Sequence, residues 1–126
     1  MQIPVGLSLT ISQKVEDKHT AAELGSGTLP VFATPALVAF VEKACLLLAA
    51  QYLPSEQTTV GTQIEITHVK ATPMGKTVFA QAVVTEVDNK KLLFSVKAWD
   101  DKGEIGHGNH IRFIVDTKKF MEKVNG

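Results

Sequence analysis

Along most of this chain apolar and polar positions alternate, and one long stretch breaks the pattern. Residues 31–51, VFATPALVAFVEKACLLLAAQ, are apolar on nearly every side, with Glu42 and Lys43 the only interior charges. That pattern predicts a helix enclosed by other structure. Thr34-Pro35 marks its start, because a threonine hydroxyl can accept from an orphan N–H at the N-cap and proline suits the first helical position. Leu53-Pro54 marks its end, since the residue before a proline is pushed out of the α region. From Pro35 to Gln51 the helix spans about 25 Å at about 1.5 Å per residue. A bilayer span wants about 20 mostly apolar residues, so a shorter run with a central Glu-Lys pair predicts no membrane insertion.

The flanking segments read as strands. Leu7, Leu9, Ile11 and Val15 alternate with Ser8, Thr10, Ser12 and Lys14, with a slip at Gln13. Residues 17–30 form a connector in which Ala21-Ala22-Glu23-Leu24 makes one helical turn and Gly25-Ser26-Gly27 gives flexibility. Residues 55–59 read as a polar loop. After them a strand over 60–69 sets Ile64, Ile66 and His68 on one face. The turn Thr72-Pro73-Met74-Gly75 precedes strands over 77–87, 92–100 and 104–115, joined by Asp88-Asn89-Lys90 and Asp101-Lys102-Gly103. Asp116 can cap a short last helix whose Phe120, Met121 and Val124 cover a sheet edge or face. Short turns imply antiparallel neighbours. The expectation is a single α+β domain over residues 1–126, with about five antiparallel strands curled around one long helix. One sheet cannot cover a helix on every side, so a second copy is expected to complete the cover: a homodimer, with a dimer of dimers left open.

Composition narrows the classes. The chain has 126 residues, 44% hydrophobic and 21% charged, with thirteen basic and thirteen acidic side chains. That suffices for one real core and leaves no excess charge to hold nucleic acid. Cys45 is the only cysteine, which excludes an intrachain disulfide framework. The segment MQIPVGLSLTIS lacks the basic flank and apolar core of a signal peptide, so the cytoplasm is the expected compartment.

Several residues carry candidate chemistry, each beside a plainer reading. Glu42 shares the helix surface with Val38, Cys45, Leu46 and Ala49. A carboxylate on such a stripe is either a paired or solvated helix residue, or a general base facing a pocket. Thr34 is an N-cap or a nucleophile at a helix N-terminus, and lies about 12 Å of helical rise from Glu42. That separation forbids direct contact on one straight helix. A bent N-terminus, a bridging substrate or water, or a site shared between subunits are the ways around it. His68 is a hydrogen-bonded core histidine or a proton shuttle. Arg112, the sole arginine among thirteen basic residues, is a surface ion pair or a contact to phosphate or to a substrate carbonyl region. Gly61, Gly106 and Gly108 mark bulges, or places where a ligand's chain lies against the backbone. His107 and His110, three apart on a strand, face opposite ways and cannot chelate one metal. Cys45 reads as a core residue, and no metal site is expected.

Val31-Phe32-Ala33-Thr34-Pro35, Glu42 with Ala44-Cys45, Val60-Gly61-Thr62, Thr67-His68, Ala71-Thr72-Pro73 with Gly75, Gly106-His107-Gly108 and His110-Ile111-Arg112 together resemble one family. It is the fluoroacetyl-CoA thioesterase-like branch of the acyl-CoA thioesterase superfamily, on the hot-dog fold. The likeness covers residues 29–115. It implies that Thr34, Glu42 and His68 form the catalytic set for hydrolysing an acyl-CoA thioester. It also implies that Gly61 and Arg112 lie in or near the ligand site. CoA then arrives as part of the substrate, and no separate cofactor is expected. The family's fluorinated-substrate enzymes place aromatic lid residues before this region, where this chain has Leu24-Gly25-Ser26-Gly27-Thr28. No phenylalanine precedes Phe32, so the expected substrate is a small or medium acyl-CoA, with fluoroacetyl-CoA one candidate. A non-catalytic acyl-CoA sensing module and a hot-dog hydroxyacyl-CoA dehydratase are the alternatives. The latter class pairs aspartate with histidine, and residues 34–51 contain no aspartate.

Overall fold

In the computed structural model, which describes residues 3–126, the elements run β1 (Ser8–Lys14), a 3-10 turn (Asp17–His19), α1 (Ala21–Leu24), α2 (Thr34–Ala50), β2 (Gln57–His68), β3 (Thr77–Asp88), β4 (Lys91–Asp100), β5 (Gly103–Asp116) and α3 (Thr117–Asn125). Met1 and Gln2, part of the segment read for a leader, lie outside the described residues. The five strands form one antiparallel sheet in the order β1-β3-β4-β5-β2. This is the helix-and-sheet arrangement expected from the pattern.

Helix α2 lies against one face of the sheet. Leu37, Phe40, Val41, Ala44, Cys45, Leu48 and Ala49 are buried there, against Val78, Ala80, Ala82, Val84, Leu92, Phe94, Val96 and Ala98 of β3 and β4. Alanines on the central strands let the helix settle close to the sheet. The opposite face of α2 is open, with Ala39, Lys43, Leu47 and Ala50 on the side away from the strands and Lys43 and Leu47 exposed. The sheet therefore encloses the helix on one side only, as the shortfall in cover anticipated. Among the described residues no helix is long and apolar enough to cross a membrane.

Three details depart from the sequence reading. Gln13 is no slip: it keeps the inward parity of Leu9, Ile11 and Val15 as a polar residue in an inward position. Strand β2 begins at Gln57, inside the expected loop, because Thr58 and Thr59 pair with Val115 and Ile114 of β5. Helix α3 forms with Asp116 accepting from the Lys119 N–H at 3.0 Å, yet it buries no residue. Phe120, Met121 and Val124 stay exposed rather than covering the sheet.

A bulge at Thr62 decides what β2 presents to the helix. Gly61 pairs with Arg112 and Gln63 with Ile111, so one residue is extra. The inward parity switches there from Thr59 and Gly61 to Ile64, Ile66 and His68. Opposite them, Arg112, His110, Gly108 and Gly106 of β5 share one parity and face α2.

Gly108 is where two strands crowd most. A Cβ there would fall 1.7 Å from the Glu65 carbonyl oxygen, which is backbone and cannot swing aside. Gly108→Ala is expected to cost roughly 3 kcal/mol, the scale of overpacking in a tight interior. Thermal unfolding checks this, and a midpoint equal to wild type would refute it.

Candidate functional site

Two clefts flank the N-terminal half of α2, and the polar candidates divide between them. The first holds Thr34 and His68. Thr34 opens α2 at its first helical position, with Ala33 rather than Thr34 as the N-cap and Pro35 behind it. No side chain caps this helix. The threonine hydroxyl is engaged elsewhere: Oγ1 lies 2.8 Å from His68 Nδ1. The plain capping role is thereby excluded.

His68 ends β2, and burial depresses its pKa below the ordinary 6.5, with the Lys70 backbone a lesser opposing influence. Its Nε2 is buried without a hydrogen-bond partner among the described residues. A neutral imidazole beside a hydroxyl is a competent proton acceptor. The surrounding cavity, about 360 Å³, is lined by Ser26, Val31, Pro35, Val69, Lys70 and Ala71 among others.

The floor behind this cleft is braced from β4. The Asp100 carboxylate, nearly inaccessible, accepts from Lys70 Nζ at 2.5 Å, Thr72 Oγ1 at 2.8 Å and the Lys102 N–H at 2.9 Å. Desolvation works to raise its pKa, but these donors prevail and hold it below the ordinary carboxylate value. The Phe32 N–H donates to the Thr72 carbonyl at 2.8 Å, tying the entry of α2 to the same segment.

The second cleft, about 280 Å³, lies two helical turns along α2 and is lined by Glu42, Gly61, Thr62, Gln63, Ile64 and His110. Glu42 Oε1 stands 4.0 Å from Arg112 Nη1. Arg112 is 7% exposed, so it is not the surface ion pair that the plainer expectation held. Its Nε donates to Thr59 Oγ1 at 2.7 Å, its Nη2 to the Thr59 carbonyl at 2.8 Å, and its Nη1 meets His110 Nε2 at 3.1 Å.

An arginine has only donors, so His110 Nε2 must accept. Nδ1 then carries the proton and donates to the Gln63 carbonyl at 2.7 Å. That tautomer is neutral, in keeping with a pKa lowered chiefly by burial and also by the Arg112 charge, against the Gln63 bond and Glu42. Burial likewise pushes the nearby Cys45 thiol up to about 12, against the pull of Arg112 and with a push from Glu42, so the thiol stays protonated and inert.

Within one chain, then, Thr34 meets His68 and Glu42 meets Gly61 and Arg112, but the two groups do not meet each other. Gly106 and Gly108 fit neither cleft. A Cβ on Gly106 would strike Leu37 Cδ2 at 2.8 Å, and one on Gly108 would strike the Glu65 backbone. Their expected role as ligand contacts is corrected: protein atoms fill the space a ligand would need, and both glycines serve packing. His107 faces outward and pairs with Glu104 at 2.9 Å. The sequence reading missed Thr59 and His110. His110 shares strand parity with Arg112, a signal available in the spacing; Thr59 was hidden by the loop assignment.

The comparisons with known proteins follow the same lines. The sequence model described as "FlK: Fluoroacetyl-CoA-specific thioesterase" matches residues 15–118. The fluoroacetyl-CoA thioesterase of Streptantibioticus cattleyicolor is 40% identical over 94 residues, covering 75% of this chain and 68% of that protein. A crystal structure of a mutant of the fluoroacetyl-CoA-specific thioesterase FlK superposes with a TM-score of 0.92 at 34% identity, covering 99% of this chain and 97% of that one. A structure of that mutant with fluoroacetate and CoA gives 0.88, covering 93% and 98%. A hot-dog-like protein from Thermanaerovibrio acidaminovorans, 22% identical with a TM-score of 0.88 over 97% and 90% of the two chains, shares the fold. With the family sequence model spanning most of its length, this chain belongs to the fluoroacetyl-CoA-specific thioesterase family, on a hot-dog fold.

Proposed function

We propose that this acyl-CoA thioesterase works as a homodimer with two composite sites, each made from Thr34 and His68 of one subunit and Glu42, Gly61 and Arg112 of its partner. The observation that carries this reading is the split just described: two incomplete polar clefts, set about 12 Å apart by the rise of one helix. Strand β2 supports it. It is a twelve-residue strand at the sheet edge, bonded among the described residues only to β5. An edge of that length is a template for another strand. Two-fold pairing of β2 with its copy is isologous, so what one subunit offers the other receives. A register that sets His68 opposite the partner's Gly61 brings each Thr34–His68 pair beside the Glu42 cleft of the other subunit, twice over. The same contact covers part of the open face of α2.

In this site the Thr34 hydroxyl attacks the thioester carbonyl while His68 Nδ1 takes its proton. The first turn of a helix leaves its leading amides unpaired. Pro35 has none, so the Thr34 and Ala36 N–H groups are the donors available to the oxyanion, aided by the helix dipole. As the carbon–sulfur bond breaks, the histidine proton passes to the leaving sulfur and CoA departs as the thiol. Glu42, held by Arg112, accepts a proton from the water that then hydrolyses the acyl-threonine. The acid leaves with one oxygen from water, and the proton held by Glu42 passes to the departing Thr34 oxygen, restoring the hydroxyl and the carboxylate. His110 and Thr59 fix the guanidinium that faces Glu42.

Thr34→Ala and His68→Ala are each expected to lower kcat by at least about 10²-fold, the usual scale of acid–base and nucleophilic assistance; thiol release from acetyl-CoA measures it. Unchanged turnover in both would remove these residues from the mechanism.

Mixing the inactive variants His68→Ala and Glu42→Gln tests the composite arrangement. A mixed dimer has one doubly damaged site and one intact site, so about half the wild-type activity per mixed dimer should return. Failure of the mixture to recover activity, with subunit exchange shown by mass spectrometry, would place all three groups in one subunit.

The reaction needs neutral His68, and burial lowers its pKa from 6.5. Activity should therefore persist as pH falls below that value and decline only when the imidazole protonates. The acid limb of kcat/KM should have its midpoint below 6.5; a midpoint above it would exclude His68 as the base.

A further inference from the structure

A third cavity belongs to neither half-site. It is a groove of about 340 Å³ on the β1 side of α2, away from the Glu42 cleft. Leu24 of α1 and Pro35, Ala36, Ala39 and Phe40 of α2 make its apolar walls. Gln13, Lys18, His19 and Lys43 complete its lining, and no carboxylate is among them. Three of the apolar residues stand open to solvent: Pro35, Ala39, and Leu24, the last 49% exposed. Pro35, which directly follows Thr34, borders both this groove and the nucleophile's cleft.

We propose that this groove receives the acyl chain of the substrate, and that the enzyme's preferred substrates are acyl-CoAs with medium-length, unbranched chains. The inference rests on the thioesterase reading above and adds the substrate class. A thioester carbonyl at Thr34 sends its two arms in different directions, and Pro35 beside it borders two cavities. The cleft beyond His68 contains Ser26 and Lys70 and suits the amide-bearing pantetheine arm. In the groove beyond Pro35, the side chains of Leu24, Ala36, Ala39 and Phe40 suit an alkyl chain, with the stems of Lys18 and Lys43 extending that apolar surface. From Pro35 to Lys43 it follows α2 for about 12 Å, room for a chain of roughly eight carbons. No aromatic side chain from residues 21–29 closes it, because that segment offers only small, polar or aliphatic residues.

A series from acetyl- through butyryl- and hexanoyl- to octanoyl-CoA, assayed by thiol release, tests this with wild type and Ala39→Trp, which would fill the groove. In wild type kcat/KM should rise by about fourfold per added methylene pair at minimum, and up to about fourfold per methylene where burial is complete. In Ala39→Trp the octanoyl-to-acetyl ratio of kcat/KM should fall at least about tenfold, on the scale of pocket discrimination between chain lengths. If Ala39→Trp does not fold, Ala39→Leu should shift the same ratio in the same direction. Acetyl-CoA turnover with a flat or falling series, or a ratio untouched by the substitution, would overturn the groove assignment while leaving the thioesterase standing. Thiol release from no acyl-CoA, acetyl-CoA included, would overturn both.

Discussion

Everything in this molecule depends on one contact, the burial of the Leu37–Leu48 stripe of α2 against the sheet. The sheet side is built for it, with fully buried alanines at positions 80, 82 and 98. Gly106 extends the same accommodation to β5, leaving space that Leu37 occupies. Burial of this apolar area supplies the driving force, and close packing then fixes where along the helix each polar residue stands. A change in that seat would move both clefts at once.

Helix α2 is thus a ruler as well as a core element. Its N-terminal end delivers Thr34 to the end of β2, where His68 waits, and two turns on it delivers Glu42 to the bulge, where Arg112 waits. The two stations differ in electrical character. At the first, burial keeps a histidine neutral beside a hydroxyl. At the second, a buried guanidinium hydrogen-bonded to Thr59 and His110 faces a partly exposed carboxylate. Burying an arginine is costly unless its donors are used, and Thr59 and His110 use them. His110 can do so only as the neutral tautomer set by the Gln63 carbonyl. The bulge at Thr62 is what lets Thr59 and Gly61, on one side of it, share a face with Ile64 and His68 on the other.

The open face of α2, the unpaired edge of β2 and the division of the polar groups are three signs of one incompleteness. Each is a liability in an isolated chain: exposed apolar surface, unpaired backbone groups and a half-assembled site. The proposed two-fold partner answers all three through one contact.

Much of this was legible in residue order because it depends on local periodicity. The helix at 31–51, the antiparallel strands after it and the turns between them follow from spacing and turn chemistry, which need no distant partner. The familiar run of Thr34, Glu42 and His68 also stands in the linear pattern. Other features lay beyond that reading. Whether Thr34 caps its helix or bonds His68 depends on a residue thirty-four positions away. Gly106 and Gly108 look in sequence like ligand contacts, and only the positions of Leu37 and the Glu65 carbonyl show them to be packing requirements. Thr59 and His110 became visible as the cradle of Arg112 once a single-residue bulge had set strand parity. Periodicity specifies which face a residue belongs to, whereas the meeting of faces is settled by packing between segments far apart in the chain, and there the chemistry of this protein was decided.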